Sequence, residues 1–281
     1  MTLTRDASTP EQLPSELAAL VDDLRSPDPA VRDDRAYTAL AERISAGRAD
    51  AHLAGLGDAG AALLGAPEIQ ARSFGALLLA LVVERVNLLS TSSPELSGST
   101  TAVRPLDVVR WLAAFVVWYP AEADLRGYDE QLGWLHAVAH GADALGVFGG
   151  SPLLAPADLL LLLDLVLERL REPTWQHLTQ QEDDRLALAV MSILVRDRIP
   201  AQDVHAWIDR LAAIWRDAPK GARSAQVDNT MRFARALHLQ LTLGVRTVRD
   251  GDVRQPAGRD DFLRHLSGAL ADGQWFLGLP P

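Results

Sequence analysis

The chain has no cysteine among its 281 residues. Disulfides, thiolate zinc sites, iron–sulfur clusters and cysteine nucleophiles are therefore excluded, and thiol usage says nothing about the compartment. Lysine is nearly absent as well. Lys220 stands alone, in a Pro-Lys-Gly loop, a poor setting for a Schiff base that needs a desolvated amine. Positive charge is short overall, with a net charge of −10. That argues against a nucleic-acid partner, whose phosphates demand a basic surface.

Long apolar runs are missing too. Ser73–Val83, Trp111–Tyr119 and Leu159–Leu167 are each too short to cross a bilayer, or are broken by Glu84, Arg85 or Asp164. The N-terminus Met-Thr-Leu-Thr-Arg-Asp lacks the basic-then-apolar layout of a signal peptide. No membrane partner and a cytoplasmic location are the expectations. No Gly-Lys-Ser/Thr loop, Gly-x-Gly-x-x-Gly turn or Gly-x-Ser-x-Gly elbow occurs, so no nucleotide cofactor is expected.

Sustained strand alternation is also absent, and helical periodicity takes its place. Leu17, Leu20, Val21 and Leu24 recur at helix spacing, as do Val31, Tyr37, Leu40 and Ile44. Further helices read at 49–64, 67–89, 105–119, 130–147, 156–171, 180–198, 201–216, 225–243 and 259–271. Arginines recur early in amphipathic helices at Arg32, Arg72 and Arg110, a period near forty residues, and again at Arg185 after about two such periods. A two-helix unit of that length matches HEAT-like repeats. The expected fold is all-α: one right-handed, HEAT-like helical-repeat domain over 15–281 after a flexible segment 1–14, with a split near 149–156 as the alternative.

The densest chemistry lies in Leu132-Gly-Trp-Leu-His-Ala-Val-Ala-His-Gly-Ala-Asp143. On a helix His136, His140 and Asp143 share one face. Two histidines at i and i+4 with a carboxylate at i+7 can hold a divalent metal ion or act as a catalytic acid–base set. The glutamate that metalloprotease helices carry between their histidines is replaced by Ala137, Val138 and Ala139. Candidates for a fourth ligand are His177, Glu182, Asp183 and Asp129. The alternative is a hydrogen-bonded structural row. Upstream, Arg126, Tyr128 and Asp129 form a polar loop leading to Trp134. Arg126 could clamp an anionic group with its planar fork, and Tyr128, Asp129 and Trp134 complete a candidate ligand-binding set. Thr179-Gln-Gln-Glu182 fits a capping box, with Glu182 reaching back to the Thr179 backbone.

The run Arg126-Gly-Tyr-Asp-Glu-Gln-Leu-Gly-Trp-Leu-His-Ala-Val-Ala-His-Gly-Ala-Asp143 resembles the hallmark segment of the bacterial family known as domain of unknown function 2785. Arg72-Ser-Phe and Glu182-Asp-Asp-Arg extend the resemblance to about residues 20–240. It implies that Arg126, Gly133, Trp134, His136, His140 and Asp143 define the family's site, and it implies no reaction. The residues leave two functions open, besides a nucleic-acid enzyme that the net charge disfavours. One is a protein that binds a small ligand or metal, with a histidine as general base; the other is a helical scaffold for a protein or peptide partner.

Overall fold

The computed structural model describes residues 13–91, 103–219, 221, 223–246 and 251–273. The segment 1–14, expected to be flexible, lies outside them except for Leu13 and Pro14. The chain folds as two compact units, Met1–Phe115 and Val116–Pro281. The division falls inside a helix and not near 149–156.

The first unit is helical throughout its described residues, apart from the turns that join its helices. Helix α1 (Ser15–Asp23) leads to a π-helix, Ala30–Tyr37, that runs straight into α2 (Thr38–Ser45). A short 3-10 turn, Asp50–His52, precedes α3 (Leu53–Leu63), and α3 packs against α4 (Ile69–Thr91). Helix α4 is long and apolar enough to cross a membrane by length and composition, although Glu84 and Arg85 interrupt its apolar run. Most of α4 is buried inside the unit, and Arg85 leaves its apolar course to bind Asp50 in a fork, at 2.8 and 2.6 Å. A helix apolar all round is a core helix when other helices cover it. The first turns of α5 (Pro105–Ala121) complete the unit through the Trp111 indole N–H, which donates to Asp58 at 2.7 Å.

The first two arginines of that row make matching bonds. Arg32 donates from one nitrogen to the carbonyls of Ser26 and Pro27, at 3.1 and 3.5 Å. Arg72, forty residues on, makes the same pair of bonds to Ala66 and Pro67, at 3.0 and 2.7 Å. Each guanidinium thus ties a helix to the turn that feeds it and satisfies two carbonyls of that turn. Arg110 and Arg185 depart from the pattern and bind the carboxylates of Asp58 and Asp143 instead.

The second unit holds the last turns of α5, a two-residue ladder of β1 (Tyr128–Asp129) with β2 (Gly133–Trp134), then α6 (Ala137–Gly149), α7 (Pro156–Arg171), α8 (Glu182–Leu194), α9 (Ala201–Arg216) and α10 (Ala225–Leu243). A second ladder, β3 (Val245–Arg246) with β4 (Val253–Arg254), and α11 (Arg259–Asp272) follow. Alternate helices lie side by side and run the same way. In one set, Asp143 and Gly146 of α6 meet Arg185 and Ala189 of α8, and Asp183 of α8 meets Arg232 of α10. In the other, Leu163 and Asp164 of α7 meet Trp207 and Arg210 of α9, while His205, Asp209 and Arg216 of α9 meet Asp261, His265 and Asp272 of α11. The architecture is predominantly α-helical with neighbouring helices packed in order, as the periodicity indicates.

Buried polar groups are tied into this core. The Tyr119 hydroxyl donates to the Val138 carbonyl at 2.8 Å, and Arg169 donates to the carbonyls of Tyr119 and Glu122. Tyr119→Phe leaves the Val138 carbonyl without that donor and is expected to cost about 1–2 kcal/mol in urea unfolding.

Candidate functional site

The helix expected at 130–147 begins seven residues late, and this correction shapes the site. Residues 124–136 form a hairpin because Asp129 turns the chain. Its Oδ1 accepts from the backbone N–H groups of Gln131 and Leu132, at 2.9 and 3.0 Å. Such Asx bonding competes with helix formation. Those two backbone bonds, with the Arg126 guanidinium, hold the Asp129 carboxyl below its ordinary range. Gly133, at a φ of 71°, supplies the left-handed step that closes the turn. Tyr128 then lies opposite Trp134 across the ladder.

Arg126 is committed inside this hairpin. Nε and Nη2 form a fork on Asp124, at 2.9 and 2.7 Å, and Nη1 reaches Asp129 at 2.8 Å. The anion clamp expected of Arg126 is therefore already filled by two carboxylates of its own loop.

The hairpin ends at His136, whose N–H bonds the carbonyls of Arg126 and Gly127. His136 is the N-cap of α6, with a φ of 47° in the left-handed region. It lies just outside the helix, so the three polar residues do not form one helical row. His136 and His140 still meet, their ring centroids 5.6 Å apart and nearly perpendicular. Trp134 stacks on His136 at 4.5 Å, and Tyr128 meets Trp134 at 5.0 Å and 71°. Four rings thus run from solvent to interior: Tyr128 is 52% exposed, Trp134 42%, His136 8% and His140 7%.

The inner end holds a residue whose place in the sequence suggests only a cap. Glu182 is 1% exposed, and its Oε2 accepts from the Gln180 N–H at 2.7 Å. The capping box to Thr179 is not formed, because Gln181 enters α8 in the left-handed region at a φ of 66°. The Glu182 Oε1 lies 3.9 Å from Nε2 of His136. That Nε2 is buried and has no hydrogen-bond partner among the described residues. Burial pulls the His136 imidazole down to about 4, assisted by the Arg185 charge and opposed by a bond to the Gln180 backbone. Burial pushes the Glu182 carboxyl up, against backbone hydrogen bonds from its own residue and from Gln180. Both groups favour their neutral forms, as desolvation requires.

The remaining candidates lie elsewhere or are engaged. Asp143 faces Arg185, which binds both of its oxygens. Asp183 pairs with Arg232, and His177 lies half-exposed beside Asp228 at 3.5 Å. Among the described residues no group of three or more His, Asp or Glu side chains is placed to hold a metal ion. Asp143→Asn is expected to cost about 1 kcal/mol or less in urea unfolding, the scale of a partly exposed ion pair. A loss several times larger would assign Asp143 more than this pairing.

The fold and site together define an all-α protein with an aromatic hairpin set at the start of one of its helices. A family model described as "Protein of unknown function (DUF2785)" matches residues 64–239. The chain belongs to that family. No curated protein and no solved structure matches it.

Proposed function

We propose that this protein binds a small molecule at the hairpin 124–136, with Tyr128 and Trp134 as the contact surface and His136, His140 and Glu182 as its polar floor. The observation that carries the reading is the orphaned Nε2 of His136, buried beside Glu182 under two exposed aromatic rings. Buried polar atoms without partners are uncommon and call for an explanation. Backbone strain points to the same place. Of three non-glycine residues with positive φ among the described residues, His136 and Gln181 both flank this contact, and such strain gathers at functional sites. Arg126 holds the hairpin in shape, Asp143 anchors α6 to α8, and neither is assigned to the ligand. If the site is catalytic, neutral His136 is the general base.

The same reading takes the architecture as HEAT-like and right-handed, on the strength of the matching Arg32 and Arg72 bonds and the parallel alternate helices. A scaffold for a protein or peptide is the second reading, favoured by the exposed Leu188, Leu239 and Leu243 on α8 and α10. A thermal-shift screen of small molecules separates the two. Trp134→Ala and Tyr128→Ala are expected to abolish ligand-induced shifts while the unliganded melting temperature stays near wild type. Shifts that survive both substitutions would place the ligand elsewhere and sink the proposal.

A further inference from the structure

The shape and charge of the hairpin narrow the ligand to a chemical class; this step rests on the reading that the hairpin is a binding site. Tyr128 and Trp134 meet at 71° with centroids 5.0 Å apart. A flat ligand is best held in a slot between parallel faces. Two planes near a right angle make a corner, which suits a rounded group.

The hairpin that carries that corner is net negative in its own residues. Residues 124–136 carry Asp124, Asp129 and Glu130 against the single guanidinium of Arg126. His136, stacked behind Trp134, adds no positive charge near neutral pH, because burial holds it in its neutral form. The anion expected from the sequence would meet a closed arginine and surplus carboxylates. A cation would meet aromatic faces and a favourable field.

Hydrogen bonding narrows the class further. Both oxygens of Asp124 accept from Arg126, and both oxygens of Asp129 accept from Arg126 or the backbone of Gln131 and Leu132. These two carboxylates contribute field while most of their acceptor positions are in use, and the exposed Glu130 is the one further carboxylate of the hairpin. A primary ammonium or guanidinium would bring N–H donors that need acceptors, whereas a quaternary ammonium brings charge without donors. We propose that the Tyr128–Trp134 corner binds a quaternary ammonium group, on a free metabolite of the choline type or on an N-trimethylated lysine side chain.

The test is calorimetric titration of the full chain with choline, tetramethylammonium, a trimethyllysine peptide, and 3,3-dimethylbutan-1-ol, the uncharged carbon isostere of choline. The expected result is saturable binding of a quaternary ammonium at least ~10-fold tighter than the isostere. Trp134→Ala or Tyr128→Ala should weaken it at least ~10-fold, and Trp134→Phe should weaken it less, since a phenyl face attracts cations less than indole. Glu130→Lys, a change at an exposed side chain, should weaken the cations several-fold and leave the isostere unchanged. Tighter binding of choline or of the peptide identifies the source; either supports the proposal. Equal binding of choline and its isostere, lost in Trp134→Ala, would overturn the cationic class and keep the site. Absence of saturable binding by every quaternary ammonium probe would also overturn it, leaving the small-molecule reading to the thermal-shift screen.

Discussion

Gly141→Ala is expected to destabilise the protein by about 1–2 kcal/mol, although alanine is the better helix former. A Cβ at position 141 would lie 2.1 Å from Cε2 and 2.4 Å from Cδ2 of the Tyr119 ring. Tyr119 is itself buried and anchored by its hydroxyl to the Val138 carbonyl. It cannot withdraw without breaking that bond. Overpacking of this kind costs about 1–3 kcal/mol and at times more, against a gain of about 1 kcal/mol in helix propensity. Gly268 of α11 is the control, since nothing lies within 4 Å of a Cβ built there. Gly268→Ala should therefore stabilise by up to about 1 kcal/mol. Urea unfolding of both variants checks the pair. Truncating Tyr119 should remove most of the added cost of Gly141→Ala, because residues in contact couple. Equal effects of alanine at 141 and 268 would mean that Tyr119 lies further from α6 than these distances place it.

Acid is expected to weaken the fold through His136. The imidazole falls from its ordinary 6.5 to about 4, so the folded state favours the neutral ring. Its contribution is fully present above pH 6.5 and is lost as the pH falls through about 4. A shift of this size corresponds to about 3 kcal/mol, at about 1.4 kcal/mol per pH unit. His136→Asn isolates it, because asparagine tolerates the left-handed backbone at this position and does not titrate. The wild type should lose about 3 kcal/mol more than this variant between about pH 7 and pH 4 in denaturant titrations. Parallel profiles would refute the assignment. Glu182 has the opposite sign. Its raised carboxyl contributes stability below the ordinary glutamate range and loses it as the pH rises through the folded value. Glu182→Gln should accordingly be more stable than wild type at neutral pH and no more stable at about pH 3.

The helices are legible in the sequence because their burial follows its period. Those expected at 67–89, 105–119, 156–171, 201–216, 225–243 and 259–271 lie within two residues of α4, α5, α7, α9, α10 and α11. At 156–171 the local chemistry also agrees, with Pro156 in the first turn and Asp158 accepting from the Ala155 N–H at 2.8 Å. The hairpin is not legible as such. His136, His140 and Asp143 fit a helical spacing by coincidence. The competing signals, Asp129 as an Asx turn and Gly133 as a left-handed step, are local and easily outweighed by that spacing. The π-helix at Ala30–Tyr37 has no signal in residue type. Glu182 is visible in the sequence but reads as a cap. A carboxylate three residues after Thr179 has the spacing of a capping box, and only the left-handed turn at Gln181 brings it under His136. Sequence thus locates the candidate site, and backbone conformation gives it its chemistry.

Fluorine NMR of the full chain labelled with 5-fluorotryptophan tests the central claim most directly. The chain has seven tryptophans, and comparison with Trp134→Phe assigns the Trp134 resonance. Titration with choline, or with any compound that raises the melting temperature, should move the Trp134 signal first and furthest. The rival location is the crevice of about 280 Å³ lined by Trp215, Arg223 and Met231. Movement of the Trp215 signal with Trp134 unchanged would contradict the account and transfer the site to that crevice.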